Sequence, residues 1–326
     1  MLNKLVTLLV LLGIASTGYL VFTNKQVIQD QIAISRIEID PAITQLVVNS
    51  GMNDQGLLIF HASNPSLEDA EGFNRSCTRQ EERSAILGCY ANGRIYIYDI
   101  QDERLSGVRE VTATHEALHA IYARLTEAEK WELEPLLEAE YNKVVLDDPA
   151  MQERMAYYER TQPGQRHNEL HSIIGTEFSG LSGELERYYA KYFDDRAKVV
   201  ELHQQNSHRF DEVRGGLAQL EADINALIEQ VNSLSDQHNQ AADNLGRNID
   251  SFNARAQSGD FSSQAQFNSE RSALLAESSR IEAQRALIND YINQYEQKIQ
   301  EYNDLVSESN SMYESLDSSL APVPQI

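Results

Sequence analysis

The segment Thr114-His115-Glu116-Ala117-Leu118-His119-Ala120 carries the residues best suited to chemistry in this 326-residue chain. Histidines four apart on a helix lie on one face, one turn from each other. Both imidazoles can then reach one Zn²⁺ at about 2.0–2.1 Å. Glu116 sits beside the pair, where its carboxylate can take a proton from a metal-bound water. Zinc lowers the pKa of such a water towards about 7, and the hydroxide attacks a carbonyl. The flanking Val111, Thr112, Ala113, Thr114, Ala120 and Ile121 carry no charge, as a buried active-site helix requires. The competing reading is a pair of helix histidines satisfied by hydrogen bonds.

A catalytic zinc needs a third protein ligand and one open position. The stretch from Asn168 to Phe178 offers Glu169, His171 and Glu177. Glu169 is the first choice, because Ile173 and Ile174 can pack its helix onto a core. Glu177 lies past Gly175, so it is a ligand or a group orienting an imidazole, depending on whether the helix continues. His171 is a third option as ligand, or as stabiliser of an oxyanion. Tyr188, Tyr189 and Tyr192 share that last possibility, although Tyr188-Tyr189-x-x-Tyr192-Phe193 reads first as core packing.

His115-Glu116-x-x-His119 followed by Asn168-Glu169-x-x-Ser172 resembles the gluzincin, or thermolysin-like, zinc metallopeptidases. The resemblance covers roughly Tyr96 to Glu177. It implies two facing helices, the first supplying HExxH and the second a glutamate. It also implies peptide-bond hydrolysis with Glu116 as general base and then proton donor to the leaving amine. Ile173 stands where the pattern usually has an Asp. No histidine follows at the spacing of the metzincin pattern.

Elements must position these groups. Val108, Val111, His115, Leu118, Tyr122 and Leu125 at helical spacing predict a helix through the motif. Ile95-Tyr96-Ile97-Tyr98 predicts a strand ahead of it, opened by the hairpin pair Asn92-Gly93, and is the expected edge strand of a peptide cleft. Leu57-Leu58-Ile59-Phe60 reads as another strand, and Ile43, Leu46, Val47 and Met52 as a short helix. Thr126 with Glu129 three residues on is a capping-box pattern. Asp147-Asp148-Pro149 and Gln162-Pro163-Gly164 mark breaks, and Gly175 reads as a helix end. Gln26 to Arg36 reads as a helical stalk.

Further along, Leu217, Ile224, Val231, His238, Leu245 and Phe252 recur every seven residues, with Leu220, Leu227, Leu234, Ala241 and Asn248 three later. That is a coiled-coil seam. It stops at Gln257-Ser258-Gly259-Asp260 and resumes with Leu274, Ile281, Ile288, Tyr295 and Tyr302, partnered by Ile292, Ile299 and Val306. The fold class is therefore α+β: a small zincin-like domain, with helices and a short sheet, followed by a long antiparallel coiled-coil hairpin. The divisions are 1–25, a signal anchor or signal peptide; 26–195, the metallopeptidase domain; 196–320, the hairpin; and 321–326, a disordered tail.

The formal net charge is −23, which excludes nucleic acid as a partner, since phosphate binding needs clustered Lys and Arg. Leu5 to Phe22 is an uncharged apolar run of eighteen residues, roughly 27 Å as helix and long enough to cross a bilayer core. It reads as an uncleaved anchor, or as a signal peptide cut near Ala15, Ser16 and Thr17. Either way the remainder is expected outside the cytoplasmic membrane, held at the membrane or secreted. Cys77 and Cys89 then form a candidate disulfide. The expected partners are a protein or peptide substrate, the membrane through the N-terminal segment, and a coiled-coil partner or a second copy. Two other functions remain open: a membrane-tethered coiled-coil adaptor with a structural or degenerate zinc site, and a zinc hydrolase of non-peptide bonds.

Overall fold

The computed structural model describes residues 25–38, 40–77, 86–148 and 150–319. The expected anchor or signal segment and the tail lie outside the described residues. Among the described residues, no helix is long and apolar enough to cross a membrane. The described residues form two compact units, one running up to Arg209 together with the stretch from Met312, the other Phe210–Ser311.

The first unit is mostly helical. Helices α1 (Lys25–Ile34), α2 (Pro41–Asn49) and α3 (Asp54–Ala62) lead into β1 (Ser66–Glu68) and α4 (Ala70–Ser76). Next come β2 (Gly88–Ala91), β3 (Arg94–Tyr98), α5 (Val108–Arg124), α6 (Glu127–Asp147), α7 (Ala150–Thr161), α8 (Arg166–Glu177) and α9 (Gly183–Tyr189). The sheet order is β1-β3-β2, with β1 parallel and β2 antiparallel to β3. Asn92 and Gly93 both take positive φ and join Ala91 to Arg94 in a two-residue hairpin, the geometry that turn pair favours. Alternate residues Ile95 and Ile97 are fully buried, as period-2 patterning demands.

Four expectations are corrected here. Leu57 to Phe60 is helical, not a strand. Asn53 caps α3 by accepting from the amides of Gln55 and Gly56, and Gly56, Ile59 and Phe60 fall on one buried face. The strand Ile95–Tyr98 lies at the centre of the sheet; β2 is the edge beside α5. The helix at Gln26 is no free stalk. Its Asp30 is buried and paired with Arg124 at 3.0 Å, a contact that a solvated stalk lacks. Gly175 does not end its helix, because α8 runs on to Glu177.

Thr126 and Glu129 make the reciprocal capping box that opens α6. The core gathers where α5 crosses α8. Leu118, Leu170, Ile173 and Ile174 are fully buried there, each contributing about 1.5–3 kcal/mol by leaving water. Gly175 allows the crossing to be close. A Cβ at this position would meet Leu118 Cδ1 at 2.5 Å and Tyr189 Cε1 at 2.8 Å.

The long helices α10 (Ala197–Ser258) and α11 (Gln264–Leu316) follow. Within the second unit they pair antiparallel. Gln230 Nε2 donates to the Tyr291 hydroxyl at 3.1 Å, Lys298 lies 3.8 Å from Asp223, and Arg255 pairs with Glu270. Ile224, Leu245, Ile281 and Ile288 are buried along the seam. Phe252, Phe261 and Phe267 pack together at its turn, where Gly259 takes positive φ. Ile292 does not join the seam. It is 36% exposed, and Tyr291 beside it makes the cross-helix contact.

Candidate metal centre

Helix α5 presents His115 and His119 one turn apart, with ring centroids 4.8 Å from each other. Helix α8 faces it and brings Glu169. One ligand atom from each of these three residues lies within 4.8 Å of the others. Two imidazoles and one carboxylate are the donor set of a tetrahedral site with one open position. The group can hold a metal ion.

Helix α8 is buried on every residue from Glu169 to Thr176, so its polar side chains need partners inside the protein. The Ser172 hydroxyl donates to the carbonyls of Asn168 and Glu169, and that of Thr176 to Ser172. His119 is held by Asn168, whose Oδ1 lies 3.0 Å from its Nδ1. The Asn168 amide nitrogen donates to Gln165 at 3.0 Å, which fixes the carbonyl end of that amide towards His119. The Nδ1 of His119 then carries the proton, leaving its Nε2 lone pair on the side of Glu169, 3.8 Å away. That tautomer is the one a metal requires.

Burial sets the electrostatics. Glu116 and Glu169 are 5% and 4% exposed. Desolvation pushes the Glu116 carboxyl up to about 7, with Glu169 adding to the rise and His119 and the Tyr90 backbone opposing it. Glu169 is likewise raised by burial, against His119 and Arg154. His115 falls well below the usual imidazole range through burial and the neighbouring His119. Burial also acts downward on His119, but Glu169, Glu116 and Asn168 outweigh it and raise the ring. Two buried carboxyls and two imidazoles pressed together form a donor set that a divalent cation would neutralise.

Glu116 lies against the β2 edge. A Cβ on Gly88 would fall 2.8 Å from Glu116 Cγ and 2.7 Å from Thr112 Cγ2. Only glycine lets the strand come this near. The cleft in front has a volume of about 840 Å³ and is lined by His115, Glu116, His119 and Glu169, with Tyr90 and Tyr158 on its walls. Cys77 and Cys89 are joined by a disulfide in the same wall.

Other candidates lie elsewhere. Glu177 does not reach the cluster, because Arg154 grips both its oxygens at 2.6 Å. His171 is fully buried in the core, stacked on Tyr189 and hydrogen-bonded through Nε2 to the Tyr188 hydroxyl at 3.0 Å. Burial pushes its pKa down to about 3. Tyr189 donates to the His171 carbonyl, and none of His171, Tyr188, Tyr189 and Tyr192 lines the cleft. Tyr158 does, and burial lifts its hydroxyl to about 12. Sequence reasoning missed Tyr158, Gly88 and the orienting role of Asn168. Only Asn168, adjacent to Glu169, carried a signal that could have shown it.

Comparison with protein families, curated proteins and solved structures finds no match to this chain.

Proposed function

We propose that this protein is a zinc-dependent hydrolase of peptide bonds that works outside the cytoplasmic membrane. The observation that carries this reading is the convergence of His115, His119 and Glu169 in an open cleft beside the buried Glu116. Among the described residues no fourth His, Cys, Asp or Glu joins the cluster, which supports a catalytic site over a closed structural one. Zinc would supply Lewis acidity, polarising a substrate carbonyl and making water acidic. The two facing helices and their HExxH and glutamate support the gluzincin resemblance.

The chain's own residues supply the rest. Glu116 takes the proton of the attacking water and returns it to the leaving amine. Tyr158 donates a hydrogen bond to the carbonyl oxygen as negative charge develops there. β2 is the sheet edge beside Glu116, so its outer backbone groups can pair with an extended peptide. The Cys77–Cys89 disulfide supports an oxidising compartment. The apolar run Leu5 to Phe22 supports export or anchoring.

Zinc content and peptide-library cleavage by the protein and by Glu116→Gln test the reading. The expected result is about one zinc per chain in both and cleavage only by the parent. Zinc in both with no cleavage by either would shift the reading to a membrane-tethered helical adaptor with a structural zinc. Absence of zinc from both would end it.

A further inference from the structure

Helix α1 turns its one acid inward. Asp30 is the only charged residue between Lys25 and Arg36. Its carboxylate accepts from Arg124 Nε at 3.1 Å and from a terminal guanidinium nitrogen at 3.0 Å. At 3.6 residues per turn, Ile28 and Ile32 lie one above the other, about 160–200° around the axis from Asp30. They are 39% and 44% exposed, and Val27 beside them is 50% exposed. Gln29, Gln31 and Ser35 are exposed as well and carry no charge. The outward strip of α1 is thus uncharged and part apolar, framed by the exposed cations Lys25 and Arg36. Single exposed apolar residues are ordinary on a soluble surface. What distinguishes these is the chain that leads into them. Only Thr23 and Asn24 separate α1 from the apolar run Leu5 to Phe22. Two residues span at most about 7 Å, less than the diameter of a helix. With that run in a bilayer, α1 starts at the headgroups.

We propose that α1 lies on the bilayer surface, with Ile28 and Ile32 sunk among the lipids and Lys25 and Arg36 at the phosphates. The occupant of this face is the membrane that holds Leu5 to Phe22, so the inference rests on the anchor reading of that run. Helices of this kind seat their apolar face about 5–10 Å into the boundary of headgroups and acyl chains. Apolar contact carries the seat, because a chain of net charge −23 gains nothing from anionic lipid. The seat also bears on the candidate metal centre. Arg124 closes α5 five residues past His119, about 8 Å along the axis. The buried Asp30–Arg124 pair fastens α1 to the helix that carries His115 and His119. A bilayer seat for α1 therefore sets the height of the cleft above the membrane.

The test uses the full chain in phosphatidylcholine nanodiscs, with a nitroxide on Ile28→Cys, Gln29→Cys, Gln31→Cys or Ile32→Cys. Cys77 and Cys89 are bonded to each other and take no label. Collision with oxygen and with a water-soluble nickel complex, calibrated on lipids labelled at known positions, reads the depth of each site. The expected result is that the labels at 28 and 32 lie about 5–10 Å into the headgroup and acyl boundary. Those at 29 and 31 lie shallower, a helical alternation that the label's own affinity for lipid does not create. Labels at 28 and 32 that meet the nickel complex as freely as those at 29 and 31 would place the strip in water and overturn the proposal. Labels at 28 and 32 shielded from both reagents would overturn it too, and give the strip to a second copy or another protein. A chain that carbonate strips from the discs would instead fell the anchor reading, and the seat with it, while the metal centre stands apart from all three results.

Discussion

Gly175→Ala probes the crossing that brings the two ligand-bearing helices together. Two effects oppose each other. Alanine favours the interior of a helix over glycine by about 1 kcal/mol. Against that, the new methyl would sit 2.5 Å from Leu118 Cδ1 and 2.8 Å from Tyr189 Cε1. Carbon atoms rest about 3.5–4.0 Å apart, so each neighbour must give by roughly 1 Å. Neither has room, since both are fully buried. Tyr189 is further tethered by its 2.7 Å hydrogen bond to the His171 carbonyl. Overpacking of this kind costs about 1–3 kcal/mol, and the absence of an escape route places the cost at the upper end. The net loss is about 1–2 kcal/mol, or about 2–8 °C in melting temperature for a unit of this size. Leu118 precedes His119, and Gly175 follows Glu169 by under two turns, so the strain separates the ligands and zinc affinity falls about tenfold or more. Calorimetry and zinc competition with a chromophoric chelator measure both effects. Adding Leu118→Ala should recover part of the zinc affinity, a coupling expected only of residues in contact. A Gly175→Ala protein that melts higher and binds zinc unchanged would show that helix propensity is the only term at work, and would refute the close crossing.

Asn168→Ala should lower zinc affinity by about 10–100-fold, because His119 loses the acceptor that sets its tautomer, while Asn168→Asp should retain most of it; equal affinity in all three, by calorimetric titration, would remove Asn168 from the site. Replacing both Cys77 and Cys89 by serine should cost about 3 kcal/mol in denaturant unfolding by the loop-entropy estimate, and an unmoved midpoint would contradict it. His61 is held below its usual pKa by burial, its Nε2 3.0 Å from the Thr44 hydroxyl. The unfolded chain therefore binds this proton first, and stability falls as pH drops through about 6.5, flattening below the folded value. The parent should accordingly lose more melting temperature between pH 7.5 and 5.5 than His61→Gln; equal losses would exclude His61 as a contributor.

The candidate metal-binding group was legible because the chemistry is local. His115 and His119 need only a helix, and Glu169 needs only to lie on a second one with apolar neighbours. The hairpin turn at Asn92-Gly93 and the capping box at Thr126 were legible for the same reason, being fixed within four residues. What failed depended on distant partners. Leu57 to Phe60 is an apolar run that suits strand or helix, and Asn53 and the packing of Gly56 decide it. Gly175 signals a helix end unless a neighbour fills the space of its missing side chain, and Leu118 lies 57 positions earlier in the chain. Glu177 could not be set aside from sequence, because its capture by Arg154 needs α7 to fold over α8. Tyr158 carries no mark of its own among the 15 tyrosines of the chain.

The wall beside Glu116 is backbone, since Gly88 has nothing to offer and tolerates no addition. Natural variation has little to act on there. On the proposed reading, a change of preferred substrate would come from the opposite bank, through Tyr157 and Thr161 on α7. One bank of the cleft is thus frozen and the other free to drift. A library meant to redirect the proposed activity should spend its diversity on the second and leave the first alone.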